Sequence, residues 1–214
     1  MMAMSDLQRQ VATAALAAAR KYGFALAGGG ALAEHGITSR FTADIDLHTD
    51  RLGVMHKAAT AVEQALTDAG LAFERQEPEW GKDSAEWVTE WWVTGPATPA
   101  DQMLLKLAIY GRQGRTKTMN VGPVLAVKDV IAGKICALAE RADERDFVDV
   151  AAFLGSRSAA ELIAMAKAAH PGLEDDEFAR AGQQLDRLPD EAFTRYGSDL
   201  TPAEIRARFR DWPR

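Results

Sequence analysis

Two short blocks decide the reading of this chain: Ala27-Gly28-Gly29-Gly30-Ala31-Leu32, and, seven residues later, Arg40-Phe41-Thr42-Ala43-Asp44-Ile45-Asp46-Leu47. The apolar run Phe24–Ala27 predicts a short buried strand that enters the glycines, and a brief helix from Ala31 to about Glu34 follows. Glycines at a strand-to-helix turn let backbone N–H groups approach an anion without interference from Cβ, and the helix start adds positive potential. Residues 43–48 predict a second strand, with Ala43, Ile45 and Leu47 alternating with Asp44, Asp46 and His48. Because side chains alternate with period two, Asp44 and Asp46 share a face, their carboxylates ~7 Å apart along the strand. Such a pair repels itself unless a cation lies between the two groups. A hard Mg²⁺ takes one or two carboxylates together with phosphate oxygens. A glycine cradle and an Asp-x-Asp pair in strand–turn–helix–strand order is therefore the chemistry of a metal–nucleoside triphosphate site. Taken singly, each has a bland explanation, a tight turn and a solvated strand face.

Outward from these blocks, an amphipathic helix is expected over residues 6–21, with Gly23 as its C-cap, and another over 54–69 that stops at Gly70. The middle reads as strands, 71–75, 85–93 and 102–110, separated by Pro78, Gly81, Pro96 and Pro99. Residues 111–123 read as a Gly-, Arg- and Lys-rich connection, and 124–127 as a short apolar run. From Lys128 the pattern is almost wholly helical: about 128–141, 145–154, 158–169, 174–186, 189–195 and 201–210. The expected organisation is an α/β head, 1–127, and a C-terminal helical region, 128–214.

The chain's 214 residues suffice for a real core, and 47% hydrophobic with 26% charged residues excludes a disordered or fibrous protein. With a single cysteine, Cys136, neither an internal disulfide framework nor a Cys-based zinc site is available. The four histidines (His35, His48, His56, His170) are too scattered for a His-only metal site. No targeting segment is read at the start, and no window approaches the ~18 uninterrupted apolar residues of a membrane span. The expectation is a cytoplasmic protein without a membrane partner. A formal charge of −6 argues against broad coating of nucleic acid. Residues 102–138 nevertheless hold six basic side chains (Lys106, Arg112, Arg115, Lys117, Lys128, Lys134) against one acid, Asp129.

The glycine and Asp-x-Asp blocks together resemble the signature of the DNA polymerase β-type nucleotidyltransferase superfamily. A later segment, Lys134 followed by Arg145-Asp146-Phe147-Val148-Asp149, resembles the Lys…Arg-Asp-x-x-Asp segment of the AbiEii/AbiGii-type toxins, which include the MenT group of bacterial toxin–antitoxin systems. The resemblance implies a mixed sheet flanked by helices with a C-terminal helical bundle. It implies that Gly28 and Gly29 hold a triphosphate, that Thr42 contacts phosphate through its hydroxyl, and that Asp44 and Asp46 bind a catalytic Mg²⁺. Lys134 would neutralise the triphosphate, Asp149 (or Asp146) would orient that lysine or the nucleotide, and Arg40 would add a phosphate contact. The implied activity is transfer of a nucleoside monophosphate to the 3′ end of tRNA, counteracted by a cognate antitoxin.

Several residues keep plainer alternatives. Lys134 sits at the border of an apolar helical face, where a lysine often snorkels from a core edge. Asp146 and Asp149, at i and i+3, also suit a helix start. Trp80, Trp87, Trp91 and Trp92 are candidates for stacking on a base or for filling a sheet–helix interface. The segment 112–117 is either an RNA guide or a solvated loop. One departure from the superfamily pattern stands out: the strand Met103–Tyr110 lacks the third carboxylate that often serves there, with Asp101 and Glu90 as unconvincing substitutes. A one-metal site or an inactive enzyme would follow. Two other readings remain beside the toxin: a small-molecule nucleotidyltransferase of the aminoglycoside or lincosamide type, and a non-catalytic nucleotide-binding partner protein.

Overall fold

A computed structural model describes residues 4–38, 40–77, 85–95 and 102–214. The chain divides into two compact units, one made of Met2–His35 with Thr42–Ala126 and the other of Gly36–Phe41 with Val127–Arg214. Trp80 and Asp101 fall outside the described residues, as do Pro78, Gly81, Pro96 and Pro99.

The first unit is built on a seven-stranded mixed sheet of order β3-β4-β5-β2-β1-β7-β6. Its strands are β1 (Ala25–Leu26), β2 (Asp44–Thr49), β3 (Ala72–Arg75), β4 (Val88–Thr94), β5 (Gln102–Ile109), β6 (Lys117–Met119) and β7 (Gly122–Val124). β2 runs parallel to β5 and antiparallel to β1, and β4 runs antiparallel to both β3 and β5. The connection expected over 111–123 differs in the structure, since Lys117–Met119 and Gly122–Val124 form a hairpin. Three-residue strands carry too little alternation to stand out from a basic loop, and their pairing is supplied by the sheet edge at β1.

One face of this sheet is covered by α1 (Asp6–Ala19) and α3 (Met55–Asp68), which also pack on each other. α1 starts at a capping box between Ser5 and Gln8 and buries Val11, Ala12, Ala15, Leu16 and Ala19 at helical spacing. α3 buries Met55, Ala58, Ala59, Val62 and Leu66. Against them lie Ile45 and Leu47 of β2, Leu105 and Leu107 of β5, and Trp91 and Val93 of β4, all fully buried. Trp91 donates its indole N–H to Glu63 of α3 at 2.9 Å, so it belongs to this interface and not to a stacking surface. Gly23 caps the turn after α1 in the left-handed conformation, φ 87°.

The second unit holds α4 (Val127–Arg141), α5 (Glu144–Leu154), α6 (Ala159–Ala169), α7 (Asp175–Arg187), α8 (Glu191–Thr194) and α9 (Pro202–Arg208). α4 is its centre, packed by α5, α6 and α7, while α5 also contacts α8 and α9. Phe147 of α5 meets Phe209 edge-on at 5.6 Å, and Trp212 bridges Phe209 and Phe178 of α7. No helix of the described residues is long and apolar enough to cross a membrane.

Candidate functional site

The alternation along β2 is complete: Asp44, Asp46 and His48 are half-exposed, while Ile45, Leu47 and Thr49 are buried under α1 and α3. Burial of the apolar set fixes which face the carboxylates take, because a one-residue slip would turn Ile45 and Leu47 to solvent. β1 sits beside β2, and the N–H of Ala27 donates to the carbonyl of Asp46 at 2.8 Å. The chain then turns at once into α2 (Gly28–Glu34), so the three glycines form the first turn of that helix instead of preceding it.

Gly28 is required there twice over. Its φ of +57° lies in the left-handed region, and a Cβ placed on it would come within 1.9 Å of Asp46 Oδ2. Backbone and carboxylate thus approach as closely as a glycine permits. Gly29 and Gly30 are buried, and a Cβ on Gly30 would press on Leu26. His35 closes α2 and bonds the carbonyl of Leu125 at 2.8 Å through Nε2, which makes it an anchor of the helix.

Thr42 is buried, its carbonyl accepts from Gln8 at 2.5 Å, and its hydroxyl has no hydrogen-bond partner among the described residues. A buried hydroxyl without a partner is costly and is a donor without an acceptor. Two residues further on stands Asp44. The donor set around it, two half-exposed carboxylates with a backbone turn against one of them, fits a hard divalent cation carrying phosphate oxygens. No cluster of three or more His, Cys, Asp or Glu that could hold a metal occurs among the described residues, so these two carboxylates would be the protein's share of the ligands.

The same sheet face continues across the neighbouring strands. Register pairs Asp44 with Leu104, Asp46 with Lys106 and His48 with Ala108 on β5. β4 then places Trp92 opposite Leu104 and Glu90 opposite Lys106. Lys106 Nζ lies 2.6 Å from Glu90 Oε1. The His48 ring stacks on Tyr110 at 4.9 Å between centroids, and Trp92 is 42% exposed on this face. Of the four tryptophans proposed for stacking, Trp92 shares the carboxylate face, Trp91 is core, and Trp87 is exposed just before β4.

In the second unit the residues of the later motif separate into two groups. Asp149 is fully buried and takes three charged hydrogen bonds: from Arg40 Nε at 2.5 Å, from Arg40 Nη2 at 2.7 Å and from Lys134 Nζ at 2.8 Å. Burial alone would raise the Asp149 carboxyl, but the ammonium of Lys134 and the guanidinium of Arg40 outweigh it and hold it below the usual carboxylate range. Lys134 is itself buried in α4, which removes the snorkelling explanation. Arg40, expected as a phosphate contact, grips Asp149 with its fork, and its Nη1 donates to the carbonyl of Phe41 at 2.7 Å. Asp146 is equally buried but serves another partner, accepting from Arg141 Nε and Nη2 at 2.8 and 2.9 Å. Three residues on from one another, the two aspartates anchor different cations.

The basic stretch is smaller than its charge count implies. Lys106 is paired with Glu90 and Lys134 with Asp149, while Arg112 bonds Asp50 at 2.9 Å and the carbonyl of Gly23 at 3.0 Å. Arg115, Lys117 and Lys128 remain exposed. A cavity of about 320 Å³ beside α4 and α7, lined by Arg141, Arg180, Arg187 and Glu140 among others, contains no carboxylate pair and none of these candidate residues.

Comparison with known proteins places the fold. No family model matches the chain, and no curated protein matches its sequence. Solved structures do match. MenT4, a nucleotidyltransferase toxin of Mycobacterium tuberculosis, superposes with a TM-score of 0.58 at 16% identity, covering 94% of this chain and 82% of that one. A candidate nucleotidyltransferase of Helicobacter pylori gives 0.56 at 15% identity, covering 94% and 89%. JHP933 of H. pylori gives 0.54 at 15% identity, covering 94% and 86%. The chain therefore has the mixed-sheet nucleotidyltransferase fold of these proteins, with its helices on the sheet and in the C-terminal unit.

Proposed function

We propose that this protein is a Mg²⁺-dependent nucleotidyltransferase that moves a nucleoside monophosphate from a nucleoside triphosphate onto the 3′ end of an RNA, tRNA in the first instance, as the toxin of a toxin–antitoxin pair. The observation that carries this reading is the β2 face: Asp44 and Asp46 side by side on one face, with Gly28 brought against Asp46 as closely as a glycine allows. The nucleotidyltransferase fold and the name of one structural relative, a nucleotidyltransferase toxin, support it.

Asp44 and Asp46 would hold Mg²⁺, which when bound supplies Lewis-acid charge for the phosphates. Gly28 and Gly29 would offer backbone N–H groups to the triphosphate, and the unpartnered hydroxyl of Thr42 a further donor. By the resemblance Lys134 would neutralise the leaving pyrophosphate; within its own unit Asp149 holds the Lys134 amine and is itself held by Arg40. The attacking group is the terminal ribose hydroxyl of the acceptor; it gives its proton to solvent, its oxygen bonds to the α-phosphorus as the bond to the bridging oxygen of the β-phosphate breaks, and pyrophosphate leaves.

The experiment offers the protein Mg²⁺ and each of the four nucleoside triphosphates with total tRNA or an aminoglycoside panel as acceptor. Extension of tRNA supports the toxin reading. Modification of the drug alone would assign a small-molecule transferase, the reading favoured by the −6 charge, which attracts cationic substrates. Nucleotide binding with no transfer to any acceptor would leave a non-catalytic binding protein. A cognate antitoxin is expected to restore growth that the protein alone arrests.

A further inference from the structure

Asp46, Lys106 and Glu90 lie in one row across three adjacent strands, on the face opposite the α1 and α3 packing. The parallel β2–β5 register sets Lys106 beside Asp46, and the antiparallel β5–β4 register sets Glu90 beside Lys106. Strands are ~4.8 Å apart, so Glu90 stands roughly 10 Å from Asp46 along this row, with the lysine between them. A glutamate side chain is long enough to reach across that distance toward a metal ion at Asp46. Glu90 instead holds the ammonium of Lys106 at 2.6 Å. Both side chains remain partly exposed, 31% for Lys106 and 24% for Glu90, so the pair is accessible from this face.

The charges give this row a meaning. Two carboxylates balance one divalent cation, and a triphosphate bound to that cation stays strongly anionic. Polymerase-like sites can meet the remaining charge with a second metal on a third carboxylate. Here the position beside Asp46 carries a cation already attached to the protein. An ammonium there repels a second divalent ion and attracts a phosphate oxygen. A lysine alone would lose side-chain freedom on binding; Glu90 reduces that cost by restricting Lys106 beforehand.

We propose that Lys106 is a phosphate-binding cation of the β2 site, held by Glu90 as a positioning residue, and that it makes this a site for one metal ion in place of two. The inference rests on the nucleotide reading of Asp44 and Asp46 given above. It accounts for the missing third carboxylate without making the protein inactive.

The test uses the full chain and the non-hydrolysable α,β-methylene analogues of the four nucleoside triphosphates, with affinity measured by calorimetry and bound Mn²⁺ counted by electron paramagnetic resonance. The wild type is expected to bind one Mn²⁺ per chain in the presence of its preferred analogue. Lys106→Gln should weaken the analogue about tenfold or more, the size of losing one charge-assisted hydrogen bond. Lys106→Arg should keep most of the affinity, and Glu90→Gln should fall between them. Should Lys106→Gln fail to fold, Lys106→Arg and Glu90→Gln carry the comparison. Two Mn²⁺ per wild-type chain, or analogue binding that Asp44→Ala abolishes while the Lys106 and Glu90 variants leave it intact, would overturn the inference and spare the nucleotide reading. Failure of the wild type to bind any analogue would overturn both.

Discussion

Gly28 makes the sharpest demand of any single residue. Gly28→Ala has to pay for a left-handed φ, about 1–2 kcal/mol, and also has to displace the Asp46 carboxylate from 1.9 Å. The expected outcome is a modest fall in melting temperature with a disproportionate loss of nucleotide affinity; a variant that loses stability but binds nucleotide normally would show that the turn is structural only. Cys136 makes the opposite kind of statement. Burial, then the nearby Glu140, pushes its thiol up to about 12, so a thiol reagent should modify it only at the rate of unfolding. Rapid labelling of the native protein would contradict the burial. Gly28 was readable from sequence in kind, as a turn glycine. The carboxylate contact that makes Gly28 irreplaceable was not, because it depends on where β2 lies beside β1.

Among the elements, α4 and α5 are joined by ion pairs, Lys134 to Asp149 and Arg141 to Asp146. Lys134 and Asp149 could be placed on their helices from the 3.6-residue period, whereas the fork from Arg40, 109 residues away, could not. Sequence periodicity reports which face of a helix is apolar and not which distant cation enters it. The same limit applies to β5: a strand over 102–110 was legible, but the row Asp46–Lys106–Glu90 exists only through two strand registers. The Asp149 cluster yields a stability prediction with a definite sign. Its carboxyl is depressed in the folded chain, so its contribution is present above the unfolded value, ~3.9, and is lost as pH falls through the lower folded value. Asp149→Asn, which leaves Arg40 and Lys134 buried without their anion, should cost about 3–5 kcal/mol near neutral pH. In chemical denaturation the gap from wild type should be constant above about pH 5 and narrow below about pH 4. A gap that widens in acid would show that the ion pairs do not hold the carboxyl down.

For the whole molecule, a net charge of −6 first suggests that nucleic acid is not a partner, and the six basic residues of 102–138 then suggest that it is. Neither count survives the pairing pattern. Half of those six cations are held by Glu90, Asp50 and Asp149, while four of the acids, Asp44, Asp46, Asp146 and Asp149, are engaged in or proposed for site chemistry. Arg115 and Lys117, exposed just before and within β6, are the cations left for the RNA acceptor proposed above; neutralising both should weaken RNA binding and flatten its salt dependence while leaving nucleotide affinity unchanged. The central claim is that the Asp44–Asp46 face transfers a nucleotide rather than a phosphate. It is tested most directly by incubating the protein, Mg²⁺ and total tRNA with each nucleoside triphosphate labelled either at the α- or at the γ-phosphate. The expected result is labelled RNA from the α-label only, abolished in Asp44→Ala. Label entering RNA from the γ-position, or transfer that persists in Asp44→Ala, would contradict it.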